Sequence, residues 1–401
     1  MDSRRKKFCI ISQYWAPDIV GDASRVKQIV GELERLGCDV TVITTQPHYP
    51  RGNRQGMKFR VMSASREGRV LVFRLGMPAL SHSGFGSRFL LYSWFAAASF
   101  LPSVILGRGR ISWVFSQRIF ASYPAMLVRF LFRRTVISDA TDIWPEAVVN
   151  TGLIAPRSPV FKLGRIAAKV AYLTSSRITT MTEKMRDFLV RTYGANPDRI
   201  SVIPYGGRRL KVADSPPGGI FTVLYFGNLG PAYDFDVVLK AASELRDKQV
   251  RFIIRADGDN LSRLQMEKKE MGLGNLTFIP ETLSEEKLSS LVSDANAFVL
   301  PIKKQVFPDV SFPGKLIEYI QSGRPTIVVG VGFPADLVTG YQAGLAVAPG
   351  DYKGLADAVM TLKDDAPLTS RFSANARRLG TMEFGEKVLN ASVSRVIARV
   401  D

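Results

Sequence analysis

An ammonium group at the start of a helix, with a carboxylate one turn later, suits a phosphorylated ligand. The run Phe312-Pro313-Gly314-Lys315-Leu316-Ile317-Glu318-Tyr319-Ile320 has that form. Pro313 and Gly314 precede a helical pattern, so Lys315 stands at a helix N-terminus. Backbone amides, the helix dipole and the lysine there make an anion site suited to a diphosphate. Glu318 follows by three residues and falls on the same face. A carboxylate beside a phosphate site does not bind the phosphate; it suits two sugar hydroxyls, such as a ribose diol. A first-turn ion pair on an ordinary helix would show the same spacing.

Three further segments place polar groups where a ligand could meet them. Tyr225-Phe226-Gly227-Asn228-Leu229-Gly230 reads as a strand ending in a glycine loop, where backbone can approach a ligand closely, although such turns also serve structure alone. Ser138-Asp139-Ala140-Thr141-Asp142-Ile143-Trp144-Pro145-Glu146 sets carboxylates around a Trp-Pro after an apolar run, where they would point into a crevice. Residues 15–22 form a loop between the first strand and the first helix, the ligand side of a doubly wound sheet. Neither a Gly-x-Gly-x-x-Gly fingerprint nor a Walker loop occurs, so dinucleotide and ATP binding lack specific support. The Asp-x-Asp pairs Asp234/Asp236 and Asp257/Asp259 are of the kind that chance supplies, and no metal is inferred from them. The only cysteines are Cys9 and Cys38 and the only histidines His48 and His82, too few for a disulfide framework or a zinc site. His48 and Asp22 lie near the expected ligand side, each readable as a loop residue making local hydrogen bonds.

Apolar periodicity supplies the scaffold for these segments. Residues 8–12 and 40–44 are short apolar runs, and between them Val26, Ile29, Val30 and Leu33 recur at helical spacing within 25–36. A strand–helix–strand unit of this kind implies a parallel sheet. It recurs later, with strands over 222–226, 251–255, 277–279, 297–300 and 326–329 and a helix over 237–245. The expected α/β architecture is two doubly wound, Rossmann-like domains facing a central cleft. Their boundary falls in 204–219, which holds Tyr205-Gly206-Gly207 and Ser215-Pro216-Pro217-Gly218-Gly219. The basic start of the chain is followed by an apolar run too short for a signal sequence, so a first strand and no export are expected.

Charge is distributed unevenly. Residues 1–215 hold 33 Lys+Arg and 14 Asp+Glu (33 − 14 = +19), and residues 216–401 hold 21 and 22 (21 − 22 = −1), which together give the formal net charge of +18. A field of that sign attracts polyanions. An anionic membrane surface is the expected partner and nucleic acid is not, with a merely solvated basic face as the plainer alternative. Residues 89–107 run 19 positions without a charge, which meets the length of a transmembrane helix. Ser93, the small residues 96–99 and Pro102 argue against a span, so a buried domain helix or a helix lying in the membrane interface is the expected reading, with a span as the third alternative. Residues 119–134 mix Phe120, Tyr123, Leu127, Phe130 and Phe132 with Arg129, Arg133 and Arg134, as a helix with a basic outer face or a membrane-docking surface would.

In their order and spacing these segments resemble family 4 retaining glycosyltransferases, especially the bacterial surface-polysaccharide branch. The resemblance rests on Ser12-Gln13-Tyr14-Trp15-Ala16-Pro17 to Gly21, on Gln46-Pro47-His48-Tyr49-Pro50-Arg51-Gly52, and on Asp142-Ile143-Trp144-Pro145-Glu146. It continues through Gly227-Asn228-Leu229-Gly230, residues 313–319 and residues 343–351. The resemblance implies a GT-B fold with an acceptor-binding domain over 1–205, a nucleotide-sugar domain over 206–381, and a last helix at about 382–401 crossing back to the first domain. It implies retaining transfer of a sugar from a nucleotide-sugar, with uracil the favoured base, to a polyprenyl-diphosphate-linked or other glycan acceptor. No metal or other cofactor is implied. The protein would be cytoplasmic and peripheral on the inner face of the cell membrane, working in surface-glycan synthesis.

By position, Glu318 would bind the ribose, Lys315 the diphosphate, and the Gly21 amide would approach the leaving phosphate. Gly227, Asn228, Asp257, Gly258, Pro313 and Gly314 would complete donor binding. Asp142 and Glu146 would sit on the acceptor side or support it, and with Lys315 and Glu318 they are the catalytic candidates. Three departures from the family pattern stand out. Val310 stands where a second carboxylate is common, with Asp309 adjacent. Asn228 and Tyr233 replace a basic phosphate-binding pair, for which Lys303, Lys304 or Arg255 could substitute. Arg255 itself replaces a usual glycine. These departures motivate the alternative of a non-catalytic nucleotide- or lipid-binding partner of another transferase. A nucleotide-sugar epimerase of the same fold fits less well with so basic a first half.

Overall fold

The computed structural model describes residues 5–18, 21–48, 58–78, 80, 85–115, 122–207, 210–213, 218–258 and 260–400. The chain divides into two compact units. One comprises Met1–Val149, Leu153–Gly206 and Lys387–Asp401; the other comprises Asn150–Gly152 and Gly207–Glu386.

Among the described residues, eight strands build the sheet of the first unit: β1 (Lys7–Ile11), β2 (Asp39–Thr45), β3 (Met62–Glu67), β4 (Val70–Leu75), β5 (Ile111–Phe115), β6 (Val136–Ala140), β7 (Arg177–Thr180) and β8 (Ile200–Val202). Their order is β3-β4-β2-β1-β5-β6-β7-β8. Neighbours run parallel except in the β3–β4 hairpin. The winding reverses between β1 and β5, the switch point at which doubly wound sheets bind ligands. Side-chain alternation explains why β1 is apolar from Phe8 onward. Phe8 and Ile10 join Val26, Ile29, Val30 and Leu33 of the helix Gly21–Arg35, whereas Cys9 and Ile11 face Phe95 and Ala125 on the other side. That helix begins at Gly21, four residues before the apolar pattern becomes visible, because its first turn is polar. Asp22 sits there, where the helix dipole favours a carboxylate.

The helix Glu386–Ala398 returns to this unit. Leu389, Val393 and Val396 enter the same core as Phe8 and Ile10, each burial contributing about 1.5–3 kcal/mol. Lys6 Nζ donates to the carbonyls of Ile397 and Val400. The return comes later than residue 382 because the helix Ala366–Met382 stays with the second unit. Phe372, Ala376 and Leu379 are buried there. Gly380 also lets that helix pass close to Gln321, where a Cβ would stand 3.0 Å from the Gln321 Cα.

The second sheet comprises β9 (Phe221–Asn228), β10 (Val250–Asp257), β11 (Leu276–Ile279), β12 (Ala297–Pro301), β13 (Thr326–Val329) and β14 (Gly344–Val347). All run parallel in the order β11-β10-β9-β12-β13-β14, the order of a dinucleotide-type doubly wound sheet, with its reversal between β9 and β12. Both sheets therefore have the α/β arrangement expected from the sequence.

Candidate functional site

The carboxyl ends of β9, β10 and β12 gather the donor-type residues of the second unit. The helix Gly314–Gln321 follows β12, and its buried side carries Leu316, Ile317, Tyr319 and Ile320. Tyr319 fastens it to β9. Its hydroxyl donates to the Phe226 carbonyl (2.9 Å) and accepts from the Phe226 N–H (3.1 Å), while its ring stacks on Phe298 of β12 at 4.4 Å. Burial holds the Tyr319 phenol well above its ordinary range, so it remains a donor. This packing turns Lys315 and Glu318 to the half-exposed side. Pro313 heads the helix with no side-chain cap, so the first-turn amides are not satisfied by a capping side chain.

Lys315 lies across Gly227. Its Nζ donates to Asn228 Oδ1 at 2.6 Å and stands 4.1 Å from the Tyr233 ring centroid and 5.6 Å from that of Tyr225. A Cβ on Gly227 would fall 1.9 Å from Lys315 Cε, so the lysine shaft would have to shift, and the φ of +151° favours glycine on the backbone alone. Gly258, with φ +150°, closes the neighbouring loop; a Cβ there would lie 3.2 Å from the Leu229 backbone nitrogen. Asn228 pairs with Asp257 in register. The Leu229 N–H donates to the Asp257 carbonyl (3.0 Å), the Gly258 N–H to Asp257 Oδ1 (2.8 Å) and the Tyr225 hydroxyl to the Asn228 carbonyl (2.6 Å). The result is a rigid loop pair beside an ammonium group held on aromatic faces at a helix N-terminus. Chemically this is an anion cradle, with a carboxylate one turn away.

The departures from the family pattern have definite places. Asn228 and Tyr233 are both partners of Lys315, so they hold the cation in position and add no charge of their own. Val310 is fully buried, and Asp309 lies beside the Gly332 turn. Arg255 Nε donates to the Glu281 carbonyl (3.2 Å), and Lys303 and Lys304 are exposed. Asp236 is ion-paired with Arg263 (2.9 Å) and its N–H is bonded by Asp234, so that acidic pair serves a helix start. Asp259 lies outside the described residues. Among the described residues no cluster of three or more His, Cys, Asp or Glu side chains could hold a metal ion.

In the first unit the carboxylates separate by role. Asp139, read from the sequence as pointing into a crevice, points into the interior instead. Arg25 grips it through Nε (2.8 Å) and Nη2 (2.9 Å), Thr179 donates to it, and Arg25 also reaches the Ile203 carbonyl (3.0 Å). This pair locks the helix that starts at Gly21 onto β6. A Cβ on Gly21 would meet nothing within 4 Å, so the chain itself makes no steric demand for glycine there. Glu146 is also buried. Tyr193 donates to its Oε2 (2.7 Å) and Arg165 Nε stands 3.2 Å from Oε1. Burial raises its carboxyl above the ordinary value, with Tyr193 and Arg165 opposing. The Tyr193 hydroxyl also lies 3.0 Å from the Trp144 carbonyl, which ties Glu146 to the Trp144-Pro145 turn. Asp142, half-buried after β6, is the more accessible of the two candidates.

A polar cluster that the charge pattern alone does not reveal sits beyond β1 and β2. His48 stacks on Tyr14 at 5.3 Å; its Nδ1 lies 3.0 Å from the Gln46 carbonyl and its Nε2 3.3 Å from Gln13 Nε2. A carbonyl only accepts and an amide nitrogen only donates, so the pattern fits the Nδ1–H tautomer. The His48 N–H donates to Asp18 Oδ1 at 3.1 Å. The segments around 13 and 48 are those quoted for the resemblance, and the local hydrogen bonds expected of His48 are present. Tyr49, Pro50, Arg51 and Gly52 lie outside the described residues.

Two family models match consecutive parts of the chain: "Glycosyl transferase 4-like domain" over residues 21–206 and "Glycosyl transferases group 1" over residues 210–379. The chain is 24% identical over 342 residues to WcaI of Escherichia coli (strain K12), a protein described as a colanic acid biosynthesis glycosyl transferase, covering 80% of this chain and 83% of that one. Sucrose-phosphate synthase from Thermosynechococcus elongatus superposes with a TM-score of 0.79 at 17% identity, over 98% of this chain and 99% of the other. Anabaena HepE, solved in complex with UDP and glucose, superposes with a TM-score of 0.68 at 15% identity, over 99% and 100% of the two chains.

Proposed function

The chain belongs to the family of group 1 glycosyltransferases and has their GT-B fold, and from that premise we propose that it moves a sugar, with retention of anomeric configuration, from a UDP-sugar to a lipid-linked or saccharide acceptor in surface-glycan assembly. The observation that carries this reading is the Lys315 cradle. The departing diphosphate gains negative charge as the glycosidic bond to it breaks. A preorganised ammonium group and helix N-terminal amides stabilise that charge without reorganisation in the transition state. Glu318, one turn on, is suited to accept hydrogen bonds from a ribose diol. Gly227 leaves room for the Lys315 shaft and Gly258 for the Leu229 backbone, which keeps the two loops close beside the ammonium group. The reading places the charge-stabilising role on protein groups and needs no metal. The name of WcaI supports a polysaccharide setting, and the ligands of HepE support UDP as the leaving group.

A UDP-sugar panel with synthetic polyprenyl-diphosphate saccharides as acceptors tests it. Release of UDP, an α-linked product from an α-linked donor by NMR, unchanged rates in EDTA, and loss of turnover in Glu318→Ala are expected. Turnover that survives Glu318→Ala would refute the assigned site, and an inverted product would refute retention.

A further inference from the structure

We propose that the outward sides of three neighbouring helices in the first unit form one docking surface for an anionic lipid bilayer. The helices are Phe85–Leu106, Ser122–Phe132 and Pro159–Thr174; the second packs against both others. The first of them is apolar on its outward side as well as its buried one, unlike a helix made for water. Its buried residues are Leu91, Tyr92, Phe95, Ser99, Pro102 and Ser103, with Phe95 in the core beside Cys9 and Ile11. Ser103 satisfies its hydroxyl on the Ser99 carbonyl (2.6 Å). Leu101 and Ile105 face outward at 62% and 61% exposure. Because its inner stripe is packed on the sheet, this helix lies along a surface and does not cross a bilayer alone.

The other two helices continue the face. Phe130 and Leu131 are 68% and 60% exposed, and Leu163 and Ile166 are 67% and 63% exposed. A patch of this kind on three adjacent elements marks an interaction site. Its charge identifies the occupant. Between Gly68 and Ser138 there is no acidic residue, and between Gly68 and Thr182 the only ones are Asp139, Asp142 and Glu146. Two of those three are buried and face Arg25 and Arg165. Exposed Arg108, Arg133, Lys162 and Lys169 accompany the apolar side chains. Anionic headgroups complement such a surface, and the apolar side chains enter the headgroup–acyl boundary. A symmetric pairing of two copies would instead bring like charges together with no carboxylate to meet them.

Flotation of the full chain with vesicles of phosphatidylcholine, alone or mixed with phosphatidylglycerol, tests the proposal. The wild type is expected to float with the mixed vesicles and far less with the neutral ones. Leu163→Glu with Ile166→Glu should lower the bound fraction at least tenfold. Arg133→Ala should lower it about fivefold, the value of one basic residue at an anionic surface. Met266→Glu, an exposed position in the second unit, should change nothing. All these side chains are exposed, so circular dichroism and melting temperature should match the wild type and exclude misfolding as the cause. Absence of flotation by the folded wild type, or equal binding to neutral vesicles, would overturn the proposal. So would a solution dimer that the Leu163→Glu, Ile166→Glu variant dissociates, which would give the face to a second copy.

Discussion

Replacing Gly227 by alanine inserts a single methyl group at the tightest point of the donor cradle. The new Cβ would lie 1.9 Å from Lys315 Cε and 2.7 Å from its Cδ, distances no side chain tolerates, so the lysine must leave. It then gives up its 2.6 Å bond to Asn228 and its place 4.1 Å over Tyr233. Loss of a charge-assisted contact to a bound diphosphate costs about 1.5–3 kcal/mol, or roughly a 10- to 150-fold rise in Kd. Alanine at φ +151° adds backbone strain of about 1–3 kcal/mol, which lowers the melting temperature by several degrees. Calorimetric titration with UDP reads the first effect and thermal unfolding the second. Lys315→Ala should weaken UDP by a similar factor without the strain, and the double variant should bind no worse than either single one. Wild-type UDP affinity in Gly227→Ala, or full additivity of the two substitutions, would refute the argument that Gly227 exists to admit Lys315.

Three other outcomes follow from the first unit. Arg25→Met leaves the Asp139 carboxylate buried without its cation and should destabilise the fold by about 3–5 kcal/mol, read by denaturant unfolding. For Glu146 the folded protein holds its proton more tightly than the unfolded chain, because burial raises the carboxyl above its ordinary 4.5. Stability from this group is therefore present below that value and is lost as pH rises through the raised one, so Glu146→Gln should gain on the wild type across that window and run parallel to it elsewhere. The Cys9 thiol, pushed up to about 12 by burial, should resist iodoacetamide at neutral pH until the protein unfolds, which mass spectrometry of the labelled chain would show.

The architecture was readable because alternation and helical spacing are local properties: the apolar β1, the stripe at Val26, Ile29, Val30 and Leu33, and the Pro313-Gly314 helix start all lie within short windows. What Lys315 touches was not, since Asn228 lies 87 residues away and the match between a bare glycine and a lysine shaft exists only after folding. Asp139 looked like a ligand-facing acid because its partner Arg25 sits 114 residues earlier. Glu146 likewise gains its burial from Tyr193 and Arg165, on later helices. The uncharged run at 89–107 stayed ambiguous for a different reason. Hydropathy averages over a helix, and here Ser99 and Ser103 are buried with Leu91 and Phe95 while Leu101 and Ile105 face out, so the average conceals which side is which.

The most direct test of the donor site is the melting temperature of the full chain with excess UDP, with GDP and ADP as controls, in the wild type and in Lys315→Ala. Ligand at about a hundred times its Kd stabilises a folded state by roughly 2.7 kcal/mol, a rise of several degrees. The account predicts that rise for UDP alone and its loss in Lys315→Ala. No rise with any nucleotide, or an equal rise in the variant, would contradict it.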